Sequence, residues 1–359
     1  MKQGKELKTN PMTSGERMKA VVDKRRPDRV PFVPMALGFC AKHAGYTIGD
    51  IYESPEKSFW AQVWTQEIYG YDGSPTHIYG SFPACEFGGE IRFPKEEWEQ
   101  SPVLNRFPVE SEKDAWEIEL PDVKTSGLTP LTIEFYKLCE RHHMPINAPC
   151  GTPFTWAANL CGVGQFCRWM VKKPDLAHRL LRLVTDYLLQ FLQYWVDTFG
   201  EGRVNGFSSM PTESNYVISP KQFEEFALPY QKEAHEKLQQ MGITRFLIHV
   251  CGEHNLNLPY LAQVPLGDET ILSFGHEVKL TDAMKYFGDN YIIAGNVEPA
   301  IIQGGTPQQV YELSRKCIEE AKYSPRGFIL MSGCELPPHA PPYNLYMMKK
   351  AVDDFGWYE

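Results

Sequence analysis

One imidazole and two thiols stand out as metal-ligating candidates in this sequence: His249, Cys251 and Cys334. His249 and Cys251 lie two apart in Ile248-His249-Val250-Cys251-Gly252, and on a β-strand that spacing puts both side chains on one face. Cys334 follows another apolar run, in Met331-Ser332-Gly333-Cys334-Glu335. If both runs end at one mouth of a barrel, the three side chains meet although they are far apart in the chain. One imidazole and two thiolates suit zinc and leave a fourth position open for a substrate. The same pattern also fits a satisfied histidine beside buried thiols. No Cys-x-x-Cys pair or His-Glu-x-x-His helix reinforces the metal reading.

Other polar residues fall where strands are expected to end. Glu213 and Glu298 are candidates for proton transfer, although a carboxylate in such a place equally serves as a helix cap or a partner to arginine. Met210, Cys150, Asn296 and His276 are candidates for lining a substrate pocket. His254 and His276 also fit a supporting role, holding loops or the ligands themselves.

These residues need a scaffold that brings strand ends together. Apolar runs at 30–37, 144–149, 204–210, 244–251, 271–274, 291–294 and 327–332 read as strands without polar alternation, as in sheets covered on both faces. Between them lie helices with marked starts. Ser54-Pro55-Glu56, Ser219-Pro220-Lys221-Gln222 and Thr306-Pro307-Gln308-Gln309 each place a hydroxyl at the N-cap and proline at the first helical position, and Thr13-Ser14-Gly15-Glu16 is a fourth cap. Strand alternating with helix implies a parallel α/β sheet, and the even spacing favours a closed (β/α)8 TIM barrel. The expected organisation is one barrel domain over 1–359, with a flexible N-terminal segment at 1–12. An insertion rich in aromatics, glycine and proline is expected at 70–124, covering one barrel mouth; a packed surface meander fits the same stretch.

The chain has 359 residues and a net charge of −9, a poor basis for sequence-independent nucleic-acid binding. Its 43% hydrophobic and 23% charged residues are those of a globular protein. No apolar run has the length of a membrane helix, and Met1 to Asn10 lacks the apolar core of a signal peptide. A soluble, cytoplasmic protein is expected, with its nine cysteines as thiols or ligands rather than disulfides. A homodimer is compatible with the sequence.

Several collinear motifs resemble the uroporphyrinogen decarboxylase superfamily. They are Ser14-Gly-Glu-Arg-Met-Lys-Ala, Arg26-Pro-Asp-Arg-Val-Pro, the stretch from Ile218 to Tyr230, Gly295-Asn-Val-Glu-Pro299 and Cys334-Glu-Leu-Pro-Pro338. The resemblance covers nearly the whole chain from about residue 12 and implies a (β/α)8 barrel. True decarboxylases of the family carry an arginine-rich stretch that clamps substrate carboxylates. Here it reads Ala41-Lys42-His43-Ala44-Gly45-Tyr46, and lysine does not replace a bidentate guanidinium.

The chain is more similar to the branch of zinc methyltransferases that work with a corrinoid protein, whose His-x-Cys and distant Cys match His249, Cys251 and Cys334. That likeness implies zinc held by the chain and cobalamin supplied by a partner protein, since no Asp-x-His-x-x-Gly cobalamin motif is present. It implies methyl transfer between the corrinoid and a small molecule, either a thiol acceptor or a methylated donor (methoxyaromatic or methylthio). His339 departs from the aspartate common in such relatives. A decarboxylase with altered carboxylate recognition and a non-catalytic corrinoid-binding module are the rival readings.

Overall fold

The computed structural model describes residues 12–96 and 98–359; all but the last residue of the segment expected to be flexible lies outside them. Among the described residues are eight strands. β1 (Glu90–Arg92) and β2 (Val103–Arg106) form an antiparallel hairpin. β3 (Ile146–Pro149), β4 (Val204–Ser209), β5 (Phe246–Val250), β6 (Ile271–Phe274), β7 (Ile292–Val297) and β8 (Phe328–Ser332) form one parallel sheet in sequential order. Each successive pair is joined through at least one helix, the right arrangement for a TIM-type α/β barrel.

Two irregular segments complete the wall. Leu330 N donates to Pro31 O and Val33 N to Leu330 O, both at 2.9 Å, placing residues 31–33 beside β8. Asp72 N donates to Phe32 O at 2.6 Å, and Asn147 Nδ2 of β3 donates to Ser74 Oγ at 3.0 Å. The strand expected at 30–37 is therefore a single bridge. Pro31 and Pro34 have no N–H to extend a ladder, and a helix already begins at Leu37. Residues 72–74 belong to the wall, inside the stretch expected to be an insertion; Gly73 and Pro75 hide their strand character. The hairpin β1–β2 and the short helix Glu112–Glu117 make up much of the remainder.

The expected caps are formed. Ser219 and Thr306 each accept from the backbone N–H three residues on, at 3.3 Å, and the Gln side chain there returns the bond. Helix Ser14–Val22 closes the N-terminal end of the barrel, where Val21 and Val22 pack on Ile271, Ile292, Ala294, Ile329 and Met331. Its Arg17 donates to Asp28 and Asp72, both at 2.7 Å, and Arg29 reaches Asp72 at 3.0 Å. All four side chains are buried, so each charge is matched where water is absent. No helix among the described residues is long and apolar enough to cross a membrane.

Candidate metal centre and cavity

His249 lies near the end of β5, and Cys251 just beyond it on the same side; Cys334 follows β8 by two residues. The register sets His249 beside Ser209 of β4 and Ser273 of β6. The strand ends thus bring the three ligand-type atoms to within 4.8 Å of one another. Immediately after Cys251 the chain turns at Gly252, whose φ of +87° is a conformation glycine reaches without strain.

The imidazole is buried and only half satisfied. Its Nδ1 lies 3.2 Å from Ser273 Oγ, while its Nε2 has no hydrogen-bond partner. The sulfurs of Cys251 and Cys334 are 3.7 Å apart. Tetrahedral ligation with metal–sulfur bonds of ~2.3 Å gives a sulfur–sulfur edge of ~3.8 Å. The donor set and its spacing therefore fit a tetrahedral, thiophilic divalent ion. Cys334 is held below the ordinary thiol value, first by the hydrogen bond from Cys251 and then by His249, and Cys251 is correspondingly raised.

His254 braces this arrangement. Its Nε2 lies 3.0 Å from Met210 O and 3.1 Å from Cys251 O, two acceptors, so that nitrogen carries the proton. Asn257 Nδ2 donates to Nδ1 at 3.3 Å. Burial lowers the His254 pKa to about 4, and the ring stays neutral while tying the loop after β4 to the loop after β5.

The three ligand candidates open onto a cavity of about 670 Å³ that runs down the barrel. Glu335 lines it beside Cys334, and burial pushes its carboxyl up to about 7. Tyr52, Tyr71, Tyr79, Phe82, Trp156 and Phe207 supply an aromatic wall. Glu335 and most of this wall escaped the sequence reading. Its only signals were the adjacency of Glu335 to a candidate ligand and the aromatic richness around Phe82.

The other candidates fall elsewhere. Glu213 is fully buried outside the cavity wall, where its carboxylate accepts from Thr155 Oγ1 at 2.6 Å, Thr212 Oγ1 at 3.3 Å and Thr152 Oγ1. Burial raises its pKa despite those bonds, and its geometry pins the loop after β4 to the one after β3. Glu298 and His276 face one another at 4.0 Å on the surface. Asn296 Nδ2 donates to Gly275 O at 3.0 Å and Val278 O at 2.7 Å, stapling a loop. Cys150 and Met210 are buried, and neither lines the large cavity. His339 lies at the surface, 3.0 Å from Lys42 Nζ.

The family model described as Uroporphyrinogen decarboxylase (URO-D) matches residues 13–355. A methylated-thiol–coenzyme M methyltransferase of Methanosarcina mazei is 28% identical over 176 residues, 49% of this chain and 45% of that protein. The chain thus spans less than half the length of that relative. The methylcobamide:CoM methyltransferase MtbA of the same organism is 23% identical over 265 residues, covering 72% and 73% of the two chains. A uroporphyrinogen decarboxylase of Myxococcus xanthus is 26% identical over 256 residues, covering 69% and 70%. Among solved structures, a methyltransferase from Methanosarcina mazei superposes with a TM-score of 0.81 at 20% identity, over 96% of this chain and 99% of that one, a likeness of fold.

Proposed function

The chain belongs to the uroporphyrinogen decarboxylase family, and from that premise we propose that it is a zinc-dependent methyltransferase. It moves a methyl group between a corrinoid carried by a partner protein and a small substrate, either a thiol acceptor or a methylated donor. The observation that carries this reading is a buried imidazole, that of His249, whose Nε2 has no hydrogen-bond partner, in one cluster with two sulfurs whose ligand atoms all lie within 4.8 Å of one another. Similarity to methylcobamide:CoM methyltransferases supports it. The decarboxylase reading lacks a carboxylate clamp: Lys42, in the stretch where the arginines are expected, lies at the surface against His339. A cytoplasmic setting suits nine cysteines that are all free.

His249 Nε2 and the sulfurs of Cys251 and Cys334 would hold the zinc. When bound, the ion lowers the proton affinity of a thiol or stabilises the anion left when a methyl departs. Ser273 accepts the Nδ1 proton of His249, which fixes the tautomer and turns the Nε2 lone pair towards the sulfurs. His254 holds the Cys251 backbone in place. Glu335, with its raised pKa, can take the proton released by an entering thiol or return one to a departing group. The aromatic wall would hold the apolar part of a substrate below the ligand triad.

The test is to mix the zinc-loaded protein with a reduced corrinoid protein and methylated substrates, and with a methylated corrinoid protein and thiols, following the corrinoid spectrum. Methyl movement in either direction that stops when zinc is removed is the expected result. No movement with any donor or thiol, from protein that retains its zinc, contradicts the proposal.

A further inference from the structure

In a filled α/β barrel the inward side chains of alternate strands pack against each other in layers. Here they do not. Along β4 the inward Asn205, Phe207 and Ser209 are half-buried, while Val204, Gly206 and Ser208 behind them are buried. Asn147 of β3 and Leu247 of β5 are likewise half-open, and all five line the cavity. The barrel is hollow below the ligand triad, and its volume lies in the ~300–1,000 Å³ range of pockets that enclose a ring-sized ligand. Phe207 pairs in register with Leu247, and so sits two residues, ~7 Å, below the level of His249. An aromatic ring whose substituent reaches the triad lies at that depth.

Charge points the same way. Among the described residues lining the cavity, Lys19 and Arg245 are the cations, and both belong to the N-terminal end of the barrel. Arg245 is four residues before His249 on one extended run, ~13 Å away, and is engaged by Glu269 at 2.7 Å. The acidic group closest in sequence to the ligands is Glu335. A sulfonate carried two carbons from a thiol would find no positive partner near the triad, and an anion desolvated without one is expensive.

Resting on the methyl-transfer reading, we propose that the methyl-bearing substrate is an uncharged aryl methyl ether held by the aromatic wall, and that short anionic thiols are poor ligands here. The reduced corrinoid of the partner protein is the co-reactant. Its Co(I) donates an electron pair to the methyl carbon, the C–O bond breaks with its pair left on oxygen, and cobalt becomes formally Co(III). The phenolate takes a proton from the site or from water.

Calorimetric titration of the zinc-loaded chain with 4-methoxyphenol and, separately, with 2-mercaptoethanesulfonate tests this. The arene is expected to bind tighter by about tenfold or more. Phe207→Leu is expected to weaken the arene by about two- to tenfold, at unchanged zinc content and with thiol binding unmoved, which a general loss of fold would not do. Tighter binding of the sulfonate thiol, or no arene binding, overturns the inference. Methyl exchange between thiols and corrinoid without arene binding sinks the inference and leaves the methyl-transfer reading standing. Arene binding with no methyl movement from any donor sinks that reading, and the substrate assignment with it.

Discussion

The two ends of the barrel bury polar groups in opposite ways. At the N-terminal end, Arg17, Arg29, Asp28 and Asp72 are sealed from water and every charge meets a counter-charge within about 3 Å. At the C-terminal end, His249 is nearly as buried, yet its Nε2 has no hydrogen-bond partner and two half-buried cysteines stand beside it. The first arrangement is complete and holds a helix against the barrel. The second would be completed by the zinc ion of the proposed function.

The largest effect is expected at the complete end. Arg17→Ala leaves Asp28 and Asp72 short of a partner and should cost about 3–5 kcal/mol of stability in urea unfolding. Zinc content per folded molecule should stay the same. A cost below about 1 kcal/mol would remove the contrast between the two ends.

Glu86, a buried carboxylate, lies between these extremes. One oxygen accepts from Tyr79 at 2.6 Å and Leu128 N at 3.1 Å, and the other has no partner. Burial pushes its pKa up to about 7 from 4.5. A carboxyl with a raised folded-state pKa stabilises the fold least when ionised, so stability falls as pH rises from about 4.5 through 7. Relative to wild type, Glu86→Gln should therefore gain about 2–3 kcal/mol between pH 5 and pH 8, read from paired denaturation curves. Parallel pH profiles for the two proteins would show that Glu86 is not held in that state.

Smaller effects sharpen the comparison at the open end. Ser273→Ala removes the group that orients His249 and should weaken zinc by about 10–100-fold in chelator competition, with little change in stability. Unchanged affinity would mean the serine does not set the tautomer. Thr306→Ala, at an exposed helix cap outside both the ligand triad and the cavity lining, should cost only about 1 kcal/mol in thermal unfolding and leave zinc affinity alone.

What could be read in the sequence followed local rules. The six strands β3–β8 are short apolar runs, and the caps at Ser219 and Thr306 are spelled out by residue type. The first wall segment reads as a strand at 30–37 but forms only a bridge, because Pro31 and Pro34 interrupt the ladder, and the second, at 72–74, was hidden between Gly73 and Pro75. The pairing of His249 with Cys251 follows from strand period alone, whereas bringing in Cys334 needs the barrel. The cavity was not legible. Which aromatics face it depends on register and on the hollow interior, so Tyr52, Tyr71 and Trp156 carry no local mark, and Glu213 and Asn296 turn out to staple loops at strand ends.

Metal analysis of the purified chain and of its Cys251→Ser, Cys334→Ser and Cys167→Ser variants tests the centre most directly. One zinc per chain in the wild type and in Cys167→Ser, and its loss from both of the other variants while they remain folded, is the expected result. Zinc kept in full by either Cys251→Ser or Cys334→Ser, or absent from the wild type after growth in zinc, would contradict it.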